Sequence, residues 1–115
     1  MTFNLNDYLL NRANLKEGFS PRMLAEGYRQ VKSIVCADGL RISVQASNTH
    51  YCTPRNGVGP WVAVEVGFPS ERVEEFMEYA EEPERPTDTV YGWVPVEVVE
   101  AVVNAHGGLA VEVPA

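Results

Sequence analysis

The chain has 115 residues, 45% of them hydrophobic and 22% charged, with a net charge of −7. That length and balance fit one domain with one core and exclude a disordered tail. Seven Lys or Arg face four Asp or Glu in residues 1–60, but two face twelve in residues 61–115. Such a field repels phosphate backbones and argues against direct nucleic acid binding.

No apolar run approaches the roughly 20 residues needed to span a bilayer. The opening MTFNLNDYLLNRANLKEGF lacks a basic segment followed by an apolar one. Neither a membrane segment nor a secretory signal is expected, and the expected location is cytoplasmic. In a reducing compartment Cys36 and Cys52 are expected as free thiols.

Residues 5–13 suit a short helix with Leu5, Tyr8 and Leu9 on one side. Asn4 or Asn6 is the expected cap, because a short polar oxygen accepts a free first-turn N–H. Ser20-Pro21 opens a second helix, since serine caps and proline lacks only an N–H that has no partner there. That helix runs to about Gln30 and buries Met23, Leu24 and Tyr28. Gly27 either weakens it or marks the close approach of another backbone.

The period then changes from helix to strand. Val31, Ser33 and Val35 share one face, and Lys32, Ile34 and Cys36 the other. Asp38-Gly39 predicts a two-residue hairpin turn, placing Val35 opposite Ile42 and Ser33 opposite Val44. Ile42, Val44 and Ala46 line one face of the return strand. A bulged turn would shift this register by one residue. Residues 47–60 read as an irregular loop. A third strand follows over Trp61–Val66, with Val62, Val64 and Val66 toward the core and Trp61, Ala63 and Glu65 away. Two hairpin connections make the three strands an antiparallel meander.

Pro69-Ser70 introduces a helix to about Glu81, with Val73, Phe76, Met77 and Ala80 at helical spacing. Residues 82–86 form a stiff exposed connection, and Thr87 to Val94 an extended or looped lead. Pro95 to His106 is a helix burying Val99, Val102 and Val103, stopped by Gly107-Gly108. Leu109 to Val113 returns as a final strand. The predicted fold is α+β, one domain over residues 1–115, with a small antiparallel sheet of three or four strands packed with short helices.

Cys36, His50, Cys52 and His106 match a zinc shell in number, but their spacing lacks a tight paired-ligand turn. No metal and no cofactor is expected. His50 and Cys52 provide the composition of a catalytic pair without its indicated geometry, and the carboxylates read as solvated helix faces. No catalytic residue is assigned. Gly57-Val58-Gly59 lacks the strand-to-helix setting and the lysine of a phosphate loop.

The candidate site is a surface. The polar loop from Asn48 to Asn56 holds His50, Tyr51 and Arg55 and ends beside Trp61; Tyr91 and Trp93 form a second aromatic pair. Tyr, Trp and Arg supply broad contacts at modest ordering cost. The competing reading packs Trp61 and Trp93 against the scaffold and leaves the loop as a turn.

Residues 37–47, His50-Tyr51-Cys52-Thr53-Pro54-Arg55, Gly59-Pro60-Trp61, the run from Pro86 to Pro95 and His106-Gly107-Gly108 together resemble small uncharacterised proteins of tailed bacteriophages and prophages. The resemblance covers roughly residues 30–108 and implies the host bacterial cytoplasm, with no activity attached. The expected function is that of a small accessory protein that binds a host or phage protein, with inhibition of it as one outcome of binding. The alternatives are a small-ligand binder using residues 48–61, a structural virion component, or a surface for a homodimer.

Overall fold

A computed structural model describes residues 2–110. Helix α1 spans Leu5–Leu10, with the Asn4 side chain accepting from the Asp7 N–H as the cap. Asn6 instead reaches across to Trp61. Its side chain donates to the Trp61 carbonyl and accepts from the Trp61 N–H, at 3.0 and 2.8 Å. A 3-10 turn over Arg12–Asn14 follows. Helix α2 spans Pro21–Ala25, capped by Ser20 as expected.

α2 is shorter than its sequence suggests, and Met23 and Tyr28 lie on the surface, 37% and 39% exposed. The cause is Gly27. Its φ of +98° takes the chain out of helical geometry, a conformation glycine adopts without steric penalty. Its backbone also meets that of Gly57, where a Cβ would fall 2.5 Å from the Gly27 Cα.

Strands β1 (Ile34–Val35), β2 (Arg41–Gln45), β3 (Ala63–Gly67) and β4 (Val90–Pro95) form one antiparallel sheet in the order β1-β2-β3-β4. The meander is therefore as expected, but two features differ. Ile34 pairs with Ile42, and Val35 with Arg41, one residue from the predicted register. The turn uses three residues, with the Cys36 N–H donating to the Leu40 carbonyl and Gly39 at φ +99°. Ile34 and Cys36, rather than Val35, then join Ile42 and Val44 in the core.

The fourth strand comes from residues read as a lead into the last helix. Leu109 forms only an isolated bridge with Cys36, and the rest of the predicted final strand lies outside the described residues.

The segment before β4 also departs from expectation. Instead of a helix to Glu81, a 3-10 turn spans Glu74–Tyr79. Ser70 does not cap it; its Oγ accepts from the Arg41 N–H, and its own N–H donates to the Arg41 carbonyl. The chain is thereby tied to β2 before a helix can start. At the other end Ala80 bridges to Tyr91, which holds the backbone extended.

Helix α3 spans Val96–Ala105 and buries Val99, Val102 and Val103 completely. Gly107 and Gly108 end it at φ +91° and +80°, and the Gly108 N–H donates to the Val103 carbonyl. Ile42, Val44, Val64, Val66 and Val94 of the sheet are likewise fully buried, with Leu5 and Phe76 in the same core. Burying each such side chain contributes roughly 1.5–3 kcal/mol before the opposing loss of entropy.

The expected alternation fails at the start of β3. Val62 is 62% exposed and Trp61 only 2% exposed, the reverse of the strand reading. β3 begins at Ala63, so neither residue obeys its period. Among the described residues, no helix is long and apolar enough to cross a membrane.

Candidate functional site

The loop between β2 and β3 is built around Ser47. Its buried hydroxyl lies 2.6 Å from His50 Nδ1 and 3.1 Å from Thr49 Oγ1, and it accepts from the Thr49 N–H. The Ser47 carbonyl accepts from the Cys52 thiol at 3.2 Å. Burial, helped by the Arg55 charge, lowers the His50 pKa and favours the neutral ring. Burial raises the Cys52 pKa, which keeps the thiol protonated.

These contacts use both candidate reactive groups to shape the loop. Ser47 and Cys52 are buried, so neither offers an accessible nucleophile beside a base. Cys36 and Cys52 are free cysteines. Among the described residues, no three His, Cys, Asp or Glu side chains gather to hold a metal ion.

The loop's far end is fastened by Trp61. Its indole N–H donates to the Asn56 carbonyl at 3.1 Å, while Asn6 holds its backbone. The Arg29 guanidinium lies 5.7 Å from the ring centroid and also donates to the carbonyls of Gly57 and Leu9. Trp61 thus joins loop, α1 and the segment after α2. It has no surface to offer a partner. Tyr91 is also internal: fully buried, it donates its hydroxyl to the Pro86 carbonyl and packs against Phe76.

Tyr51, Arg55 and Trp93 come together on the outside. The rings of Tyr51 and Trp93 stack with centroids 5.0 Å apart and planes 29° apart. The Trp93 N–H donates to the Tyr51 carbonyl at 3.1 Å. The Arg55 guanidinium lies 5.7 Å from the Tyr51 centroid. The loop aromatic and the β4 aromatic therefore meet, although 42 positions separate them.

A break in strand pairing produces this arrangement. Val64 pairs with Val94, whereas Val66 pairs with Tyr91, so Gly92 and Trp93 share the place opposite Glu65. This is a β-bulge, which re-aims side chains by adding one residue to one strand. It sends Tyr91 into the core and leaves Trp93 52% exposed. Trp93 adopts φ +51°, a region few bulky residues occupy. Gly92 admits Tyr51, whose Cβ would lie 3.4 Å from an added Gly92 Cβ.

Glu65 belongs to the same place and was not among the sequence candidates. It alternates with the buried Val64 and Val66, and its carboxylate lies 3.5 Å from the Tyr51 N–H nitrogen. Burial raises its pKa; the Tyr51 contact and the Arg55 charge oppose this, while Glu81 adds to it. Strand alternation reveals its direction, but only the bulge places Trp93 across from it in the register.

Two clefts, of about 620 and 590 Å3, lie elsewhere. Phe3, Tyr8, Asn11 and Leu109 contribute to the larger, and Asn104 and Gly107 to the smaller. Neither is lined by Tyr51, Arg55 or Trp93. The assembled aromatic site is an outward platform on a bulged strand.

No family model, no curated protein and no solved structure matches this chain. The bacteriophage assignment finds no support in these comparisons and is withdrawn.

Proposed function

We propose that this protein is a binding module that engages a protein partner through the platform formed by Tyr51, Arg55 and Trp93. The observation that carries this reading is Trp93 itself. A large aromatic residue at positive φ, on a bulge, is costly by about 1–3 kcal/mol. It is nonetheless half-exposed, with its ring stacked on Tyr51. Rigid exposed aromatics beside an arginine are common dominant residues in protein interfaces.

The platform faces outward and lines neither cleft, which favours a protein over a small ligand. Arg55 braces Tyr51 and forms no ion pair among the described residues. A cytoplasmic setting belongs to the same proposal, supported by two free buried thiols.

Affinity capture from source cells, with the parent and Trp93→Ala proteins as baits, identifies the partner; calorimetry then compares affinities. Trp93→Ala should weaken binding by about 30-fold or more, the scale of a dominant interface residue. Circular dichroism should show the parent fold. Parent-like affinity in both Trp93→Ala and Tyr51→Ala would remove the platform from the function.

A further inference from the structure

We propose that the platform receives a cationic side chain, arginine or lysine, presented by a basic segment of the partner. The cation lies against the open part of the Trp93 ring and pairs with Glu65. This rests on the protein-binding reading above and specifies the chemistry of the occupant.

Three independent observations point to a cation. Trp93 is half-exposed, and tryptophan has the strongest ring quadrupole for holding a positive charge. The molecule already uses this pairing twice: Arg29 lies 5.7 Å from the Trp61 centroid, and Arg55 lies 5.7 Å from that of Tyr51. Trp93 is the tryptophan without such a cation among the described residues.

Glu65 provides the second observation. It lies opposite the bulge that carries Trp93, accepts a long contact from the Tyr51 N–H, and forms no ion pair among the described residues. A half-buried carboxylate in this condition has lost hydration without gaining a full partner. An incoming guanidinium supplies both charge and hydrogen-bond donors.

The third is the field. Residues 61–115, which contain Glu65 and Trp93, carry twelve acidic and two basic side chains. Glu81 is close enough to raise the Glu65 pKa further. An acidic half of this kind favours encounter with a basic partner over an acidic one. Arg55 is the local positive charge: it acts on Glu65 from a distance, lowering its pKa, but forms no ion pair with it, and its guanidinium lies by the Tyr51 ring.

The test follows the Trp93 indole N–H resonance by NMR during titration with the capped peptide Gly-Arg-Gly-Arg-Gly. Counterparts with citrulline or glutamate in place of arginine serve as controls. The arginine peptide should give a saturable shift at Trp93 and leave Trp61 unchanged, while both controls give none. Binding to the variants is followed through the Tyr51 backbone amide, which contacts Glu65. Trp93→Ala should abolish its shift with the arginine peptide, and Glu65→Gln should weaken binding about fivefold, the upper range for a solvent-accessible ion pair.

Absence of a Trp93 shift with arginine overturns the cation assignment. Equal binding by the citrulline or glutamate peptide also overturns it, as does arginine binding indifferent to both substitutions. If any of these occurs while Trp93→Ala still loses the captured partner, the platform stands and only the cation fails. If Trp93→Ala also retains the captured partner, the binding reading fails separately.

Discussion

Trp61 and Trp93 show how one residue type serves two opposite ends in a small fold. Each lies near an arginine–aromatic contact, and each touches the loop between β2 and β3. Trp61 is 2% exposed and held by Asn6, Asn56 and Arg29. Trp93 is 52% exposed and sits at φ +51° on a bulge. Burial with satisfied polar groups marks a fastening; exposure at a strained backbone position marks a surface retained despite its effect on stability.

The sharpest break of this comparison is Trp61→Ala. It should destabilise the protein by about 3–5 kcal/mol, the usual consequence of removing a buried aromatic side chain. Urea unfolding checks the value. A loss below about 1 kcal/mol, the range of an ordinary surface change, would contradict the fastening role.

Gly57→Ala tests the same fastening from the loop side. Its Cβ would lie 2.5 Å from the Gly27 Cα and 2.7 Å from the Gly27 carbonyl oxygen, both backbone atoms that cannot rotate away. A destabilisation of about 1–3 kcal/mol is expected from this overpacking. Thermal unfolding is a sufficient measurement, and an unchanged midpoint would show that the two backbones separate freely.

How far the sequence reveals this division depends on the interaction involved. Local signals work where one residue meets its own neighbours: the Asn4 and Ser20 caps, the Gly107-Gly108 stop and the valines of α3 are all found as expected. The meander also follows from strand period. The turn after β1 is harder, because Asp38-Gly39 supports more than one loop length, and a single added residue moves every side chain to the other face.

Tyr91 and Trp93 illustrate the larger difficulty. Their spacing in a regular strand predicts a shared face, yet the bulge opposite Glu65 separates them. That bulge depends on β3, Gly92 and Tyr51 together, so no short window of sequence contains it. Trp61 is similarly opaque, since its cover comes from Asn6 and Arg29, distant in the chain. Tyr51, Arg55 and Trp93 were legible as candidates by residue type; their convergence was not. Glu65 was legible only as an outward-facing strand residue.

Acid–base behaviour gives a smaller test. The Glu65 pKa is raised above its ordinary value by burial, so the native state holds that proton more tightly than the unfolded chain. Below the unfolded pKa of about 4.3 the carboxyl is protonated in both states. As pH rises from there through the folded pKa, the native state loses stability, and above it the full penalty remains. Glu65→Gln should therefore be more stable than the parent at neutral pH and lack this component of the pH profile. Equal or lower stability of Glu65→Gln at neutral pH would show that the carboxylate supports the fold.

Asp38 has the opposite sign and serves as the control. The Leu40 N–H and then His106, whose Nδ1 lies 2.6 Å away, hold its pKa below the ordinary value. Its contribution is present above the unfolded pKa of about 3.9 and is lost as pH falls through the folded value. Asp38→Asn should flatten the acid limb of the stability profile without altering peptide or partner binding. An unchanged acid limb would show that this contact contributes nothing to stability.

The most direct test of the central claim, that Trp93 serves a surface and not the scaffold, is urea unfolding of Trp93→Gly beside the parent. Glycine accepts φ +51° without strain, while the substitution deletes the whole exposed ring. The loss of stability should be no more than about 1 kcal/mol, because relief of roughly 1–3 kcal/mol of backbone strain offsets the lost stack on Tyr51 and the greater unfolded-state freedom of glycine. A fall of about 3 kcal/mol or more, comparable with deletion of a buried aromatic, would contradict the claim and make Trp93 a structural residue.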